Sequence, residues 1–194
     1  MKFAFNFLIS TNIFVALAAF SLYIVTDFLY PINNISVGLF IFFSTLFAYN
    51  YMRFPLFFFK KKILQIGVAH YLIILISGFL LFYFMCFLGL KFIMLASPVI
   101  LISLLYPISI CIKNKTFSVR SIPFLKLFLI SFVWAYVTVL LPLLYNGAVL
   151  SIDVLNIFFQ RILFIIAISI PFDIRDIEID KIKTLPNTIG VMWA

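Results

Sequence analysis

Apolar residues run through this chain in long blocks, and short polar breaks separate them. Six blocks emerge, approximately Ala4 to Leu29, Ile35 to Phe59, Ile63 to Leu88, Phe92 to Ile112, Ile122 to Tyr145 and Val154 to Phe172. Each is close to the roughly 20 residues that carry a helix across a hydrocarbon core. The breaks hold turn or charge signals: Tyr30-Pro31-Ile32-Asn33-Asn34, Lys60-Lys61-Lys62, Gly89-Leu90-Lys91, Lys113-Asn114-Lys115 and Asn146-Gly147. The pattern predicts an all-α fold, a polytopic transmembrane helical bundle of six full spans, with Thr188 to Ala194 starting a seventh.

Composition agrees with a lipid environment. Hydrophobic residues make up 66% of the chain and charged residues 10%, and mean hydropathy is +1.27; a water-soluble domain needs about 25% charged residues to keep its surface wet. No linker, low-complexity tract or internal repeat divides residues 1–194, so one membrane domain is expected. Lys2 ahead of an apolar run, with Ala16-Leu17-Ala18 behind it, also fits a secretory signal. The run continues well past that site, which favours a retained helix.

Charge then sets orientation, because cationic loops stay cytoplasmic. With the N-terminus inside, Lys2, Arg53, Lys60, Lys61, Lys62, Lys113, Lys115, Arg120, Lys126, Arg175, Lys181 and Lys183 fall on one side, Lys91 falls on the other, and Arg161 lies within a helix. The net charge of +8 is thus a topology signal, and nucleic-acid binding is not needed to explain it. The expected location is the inner (plasma) membrane of a bacterium, N-terminus cytoplasmic. The same topology separates Cys86 from Cys111 along the membrane normal, too far for a disulfide.

Chemistry concentrates at the end of the sixth block. Four of the six acidic residues fall between Pro171 and Lys183, and Asp173, Asp176 and Asp180 stand at i, i+3 and i+7, one face of a helix. Neighbouring carboxylates repel one another, and a divalent cation relieves that repulsion. Carboxylates joined by substrate phosphates are the usual holders of Mg²⁺. Arg175, Lys181 and Lys183 are placed to grip phosphate oxygens. The plainer reading is a solvated charged loop that stops the sixth helix from sliding into lipid. Two singletons remain to be weighed: Arg161, whose buried charge needs a partner or cavity, and His70, expected as a hydrogen-bonded helix contact.

Read from Asp173 to Gly190, the string DIRDIEIDKIKTLPNTIG closely resembles the second aspartate-rich motif of the UbiA superfamily of intramembrane prenyltransferases: D-x-x-D-x-x-x-D, a basic stretch, T-L-P and a glycine. Arg120-Ser-Ile-Pro-Phe-Leu-Lys126 is similar to the family's lysine-bearing segment before its fifth helix. The resemblance implies an isoprenoid diphosphate held with Mg²⁺ and a prenyl group passed to a hydrophobic, lipid-soluble acceptor. It implies Asp173, Asp176 and Asp180 as metal ligands, and Asn50, Arg53, Lys126, Arg175 and Lys183 around the diphosphate. No catalytic residue is assigned.

The family's first motif, N-D-x-x-D-x-x-x-D, falls on Asn50 to Phe58, where Asn50 is kept but Tyr51, Phe54 and Phe58 replace the aspartates. Arg53 and Lys126 then stand where a first metal's positive charge would be needed, a guanidinium matching phosphate in a bidentate fork. The family also commonly has about nine helices, so the chain is expected to be incomplete at its C-terminus. A non-catalytic protein that binds an isoprenoid lipid, or acts as an assembly partner, is the alternative. A small transporter is disfavoured, since apart from Arg161 and His70 the helix interiors lack ionisable residues.

The orientation is open to a direct check. A cysteine placed at Asn114 is expected to react with a membrane-impermeant thiol reagent from the cytoplasmic side. Reaction only from the outer side would invert the topology.

Overall fold

In the computed structural model, residues 7–53, 68–106, 109–112, 115–118 and 125–175 are described. They form α1 (Ile13–Leu29), α2 (Ile35–Arg53), α3 (Val68–Leu105), a hairpin of β1 (Ser109–Ile112) and β2 (Lys115–Ser118), α4 (Leu125–Tyr145) and α5 (Ile152–Arg175). Stretches in α2, α3, α4 and α5 are long and apolar enough to cross a membrane, and α1 is a shorter apolar helix. These helices mark an integral membrane protein.

The residues cluster into two compact units, Met1–Ala96 with Leu141–Ala148 and Ser97–Leu140 with Val149–Ala194. In the first unit, α1 buries Ala16, Ala19, Tyr23 and Thr26, a three-four-three spacing that makes one stripe. Small residues there let backbones approach, as membrane helices require in the absence of a hydrophobic drive between them. Gly38 of α2 is the matching notch: a Cβ built on it would stand 2.7 Å from the Tyr23 ring and 2.8 Å from Phe20. Further along, α2 and α3 join through aromatic pairs, Phe43 stacked on Phe84 at 6.0 Å and Phe40 edge-on to Phe92 at 4.7 Å.

Expected and observed boundaries differ at three places. The first block is broken at Asn12, which adopts a left-handed conformation (φ 61°) between a helical turn at 7–10 and α1. The third and fourth blocks run together as α3, whose apolar stretch is 36 residues long. A straight helix of that length measures about 54 Å at ~1.5 Å per residue, against a hydrocarbon core of about 30 Å. The length is divided at Gly89 (φ 82°, ψ −179°), a backbone open essentially to glycine alone, within the expected Gly89-Leu90-Lys91 break. The fourth block was expected to stay helical to Ile112, but the helix stops at Leu105 and Ser109–Ile112 pairs antiparallel with Lys115–Ser118. Tyr106 precedes a proline, which steers the residue before it out of helical conformation.

In the second unit, α4 and α5 pack along stripes of Leu127, Ser131, Ala135 and Thr138 against Val154, Phe158, Arg161 and Ile165, all buried. Phe132 meets Phe158 edge-on at 5.8 Å. Large apolar side chains elsewhere, among them Phe79, Phe82, Phe87, Met94, Phe159 and Leu163, are exposed. That inversion suits a solvent of acyl chains.

Gly38 offers a test of the α1–α2 contact. The Tyr23 hydroxyl donates to the Asn34 carbonyl at 2.7 Å, so its ring cannot swing away. Gly38→Ala is expected to lower stability by about 1–3 kcal/mol through overpacking, despite alanine's better helix propensity. Thermal unfolding in detergent reads the loss, and the same substitution in a Tyr23→Phe background should cost less.

Candidate functional site

The residues expected around the diphosphate divide into those whose side chains are described and those that lie beyond. Asp173 and Arg175 belong to the last turn of α5, which continues past the expected end at Phe172 and carries the first aspartate of the motif on helical backbone. Asp176, Asp180 and Lys183 lie outside the described residues. Lys126 is half-buried in the first turn of α4, and Arg53 closes α2. Among the described residues no three His, Cys, Asp or Glu side chains gather as a metal site; the side chains of all three expected Mg²⁺ ligands lie outside the description.

Asn50 is fully described and fully buried. Its amide donates to the Thr11 carbonyl at 2.9 Å and to the Leu46 carbonyl at 2.8 Å, and its oxygen accepts from the Asn12 amide at 3.4 Å. The left-handed turn at Asn12 breaks the regular helical ladder, leaving carbonyls that need donors in a medium without water. Asn50 supplies one donor, and His70 Nε2 lies 3.2 Å from the Ser10 carbonyl beside it. His70 is therefore the helix contact its sequence position implied. Three polar side chains tie the 7–12 segment, α2 and α3 together at this end.

Beside Asn50, Tyr51 is 9% exposed and stacks on Phe47 with centroids 6.1 Å apart and planes 7° from parallel. The position at which the UbiA motif carries its first aspartate is thus part of an aromatic packing layer. Phe54 and Phe58 lie outside the described residues.

Arg161 is the other polar centre. It is the tenth residue of the 20-residue apolar stretch Ile152–Pro171, near the middle of a span. Only 7% of it is exposed, and Nη1 donates to Thr138 Oγ1 at 3.3 Å. Thr138 in turn donates to the Trp134 carbonyl at 2.8 Å. Thr138 lies in a π-helical turn, Tyr136–Leu140, set into α4. The sequence singles out Arg161 as needing a partner; a lone threonine in an apolar run gave no sign of being that partner.

At the opposite end of the first unit, Lys91 Nζ donates to the Tyr145 carbonyl at 2.8 Å and lies 5.7 Å from the centre of the Tyr145 ring. The Tyr145 hydroxyl donates to the Leu88 carbonyl at 3.0 Å, one residue before the Gly89 bend. A cavity of about 300 Å³ opens nearby among Tyr30, Pro31, Ile32, Leu143, Asn146, Gly147 and Ala148. It holds no cluster of charge and lies at the end opposite Asn50.

The bonds of Asn50 generate a graded expectation. Asn50→Leu strands the Thr11 carbonyl and should cost about 1–3 kcal/mol; Asn50→Asp turns two donors into acceptors facing carbonyls and should cost more. Unfolding midpoints of the two variants in detergent order them, and an Asn50→Asp protein as stable as Asn50→Leu would show that these bonds carry little weight.

Comparisons with protein-family models, with curated proteins and with solved structures each return no match.

Proposed function

We propose that the chain is a UbiA-type membrane protein that binds an isoprenoid diphosphate at the cytoplasmic end of its sixth span and passes the prenyl group, slowly, to a lipid-soluble acceptor. The observation that carries this reading is the run from Asp173 to Gly190, with three carboxylates, the basic residues, Thr-Leu-Pro and glycine in register. It is supported by α5, which holds helical backbone through Asp173 to Arg175, so that the motif starts on a helix. Three carboxylates at i, i+3 and i+7 form a hard oxygen donor set that fits Mg²⁺. When bound, the metal would supply positive charge to the departing diphosphate. Asp173, Asp176 and Asp180 would hold it, while Arg175, Lys183, Arg53 and Lys126 would grip phosphate oxygens.

We infer that residues 1–194 form one membrane domain with six spans, N-terminus cytoplasmic, in a bacterial inner membrane. The count of six takes α1 with the turn before it as one span, divides α3 at Gly89 into two, and adds α2, α4 and α5. Seventeen residues in α1 are near the short limit for a span, and the Gly89 bend gives α3 the break that its length demands.

A second reading, a binder that does not turn its ligand over, is favoured by Tyr51. A buried, stacked phenol stands where the family has a carboxylate, and the loss of one preorganised electrostatic contact typically lowers a rate ~10²–10³-fold. Purified protein supplied with Mg²⁺ and labelled geranylgeranyl diphosphate separates these readings. Mg²⁺-dependent binding is expected, and it should be lost in Asp176→Asn; binding untouched by that change would remove the site. Diphosphate release by native protein at about 1 s⁻¹ or faster, an ordinary enzyme rate, would show that Arg53 and Lys126 replace the missing aspartates.

A further inference from the structure

Three interruptions of helix meet at one end of the first unit: α1 stops at Leu29, α3 bends at Gly89, and the Leu141–Tyr145 segment gives way to Asn146-Gly147. The ends of apolar spans lie at the level of the phospholipid headgroups, where tyrosines with an apolar ring and a wet hydroxyl also collect. Tyr30 and Tyr145 stand at this end. The cavity of about 300 Å³ opens here, with Tyr30–Ile32 on one wall and residues between Leu143 and Ala148 on the other, and its volume is at the small end of the range for bound molecules. No charged side chain lines it, yet each wall is held by one.

On the first wall, Asp27 Oδ1 accepts the amides of Ile32 at 3.0 Å and Asn33 at 2.8 Å. Both bonds fall on one oxygen, and among the described residues none falls on Oδ2 and no cation pairs with the carboxylate. On the second wall, Lys91 Nζ donates at 2.8 Å to the Tyr145 carbonyl, part of the peptide bond that leads to Asn146. That bond uses one of the three N–H groups of an exposed ammonium. The loop's own amides are already spent: those of Asn146, Gly147 and Ala148 donate to the carbonyls of Pro142, Leu144 and Leu143 at 3.1, 3.1 and 2.9 Å. An anion against this wall is therefore met by Lys91 and by the exposed Asn146 side chain. Gly147 keeps the turn open, since a Cβ built there would meet nothing within 4 Å.

A carboxylate behind one wall and an ammonium behind the other complement a zwitterion. We propose that this cavity seats the headgroup of a phospholipid that ends in a primary ammonium, its phosphate toward Lys91 and Asn146 and its ammonium toward Asp27. The acyl chains then run along lipid-facing side chains such as Phe28 and Leu29, which are exposed on the last turn of α1. A primary ammonium offers Asp27 a charge-assisted N–H donor, and a trimethylated one offers none. The seat therefore selects ethanolamine over choline.

The test uses the full chain, delipidated in detergent, with phosphatidylethanolamine and phosphatidylcholine of identical acyl chains titrated in and bound lipid counted by native mass spectrometry. The unmodified protein is expected to hold phosphatidylethanolamine about fivefold more tightly, the scale of one partly exposed charge pair. Equal affinities would overturn the proposal. Asp27→Asn keeps an oxygen for the Ile32 and Asn33 amides while removing the charge, and should bring the two lipids to equal affinity. Lys91→Gln keeps a donor for the Tyr145 carbonyl and should weaken both lipids alike. A preference that survives Asp27→Asn, or affinities untouched by Lys91→Gln, would place the bound lipid elsewhere and sink the assignment. Should a variant fail to fold, the N-methylated series read on the unmodified protein decides. Binding is expected to persist through the dimethyl lipid, which still has an N–H, and to fall at the quaternary one. A smooth decline with each methyl, the mark of size alone, or no decline at all would overturn it.

Discussion

Within a bilayer every backbone N–H and C=O must find a partner inside the protein, and that requirement shows at four interruptions of helix among the described residues. Where the first segment turns at Asn12, Asn50 and His70 reach the Thr11 and Ser10 carbonyls. Where α3 bends at Gly89, the Tyr145 hydroxyl takes the Leu88 carbonyl. Past the end of α1, Asp27 accepts the amides of Ile32 and Asn33 at 3.0 and 2.8 Å, and Tyr23 covers the Asn34 carbonyl. Inside α4, Thr138 of the π-turn donates to the Trp134 carbonyl and accepts from Arg161. Charged residues are few in this chain, and several of the polar side chains described serve a break. At these places the polar side chains have a structural use before any chemical one.

The same requirement decides which breaks show in the sequence. Apolar blocks set the spans because lipid imposes a length, and the breaks at Tyr30–Asn34, at Gly89-Leu90-Lys91 and at Asn146-Gly147 carry turn residues that announce themselves. Asn12 did not, since a Ser-Thr-Asn run inside an apolar block is equally at home in an unbroken helix; its left-handed turn depends on Asn50, 38 residues away. The π-turn was hidden for a similar reason. A lone threonine in an apolar run does not announce a π-turn, and the arginine that bonds it lies on α5. The hairpin at 109–118 competed with an apolar run that could as well have stayed helical, and what tipped the balance was the proline after Tyr106.

The candidate site was legible in a different manner. Asp173, Asp176 and Asp180 form a string whose spacing has chemical meaning on any helix, and α5 continues far enough to carry its start. Nothing of that kind marked Asn50, which entered as the surviving member of a motif. Its burial and its two carbonyl acceptors give it a sufficient reason to be asparagine without any ligand. An amide with both donors engaged at 2.8–2.9 Å has little left to offer a phosphate. The described role of Asn50 is to tie α2 to the 7–12 segment.

The neighbouring Tyr51 sharpens the point, because a carboxylate and a stacked phenol place opposite demands on their surroundings. A carboxylate at that position needs a cation or several donors close by, or it neutralises at the expense of its function. A phenol stacked on Phe47 and 9% exposed needs apolar walls. Helix packing at this end has been built for the second demand, with Asn50 and His70 spending their polar atoms on backbone carbonyls. If diphosphate binds this chain, its negative charge must be met chiefly by cations, Arg53 and Lys126 among them, and by whatever metal the 173–180 carboxylates retain. Such a site attracts the substrate through its ground-state charge. Tight binding of that kind raises affinity without lowering the barrier to ionisation, since only interactions stronger in the transition state accelerate the chemistry. On the proposed reading, a chain with one aspartate triad and a packed phenol at the first position of the other motif would hold a lipid diphosphate more readily than break it.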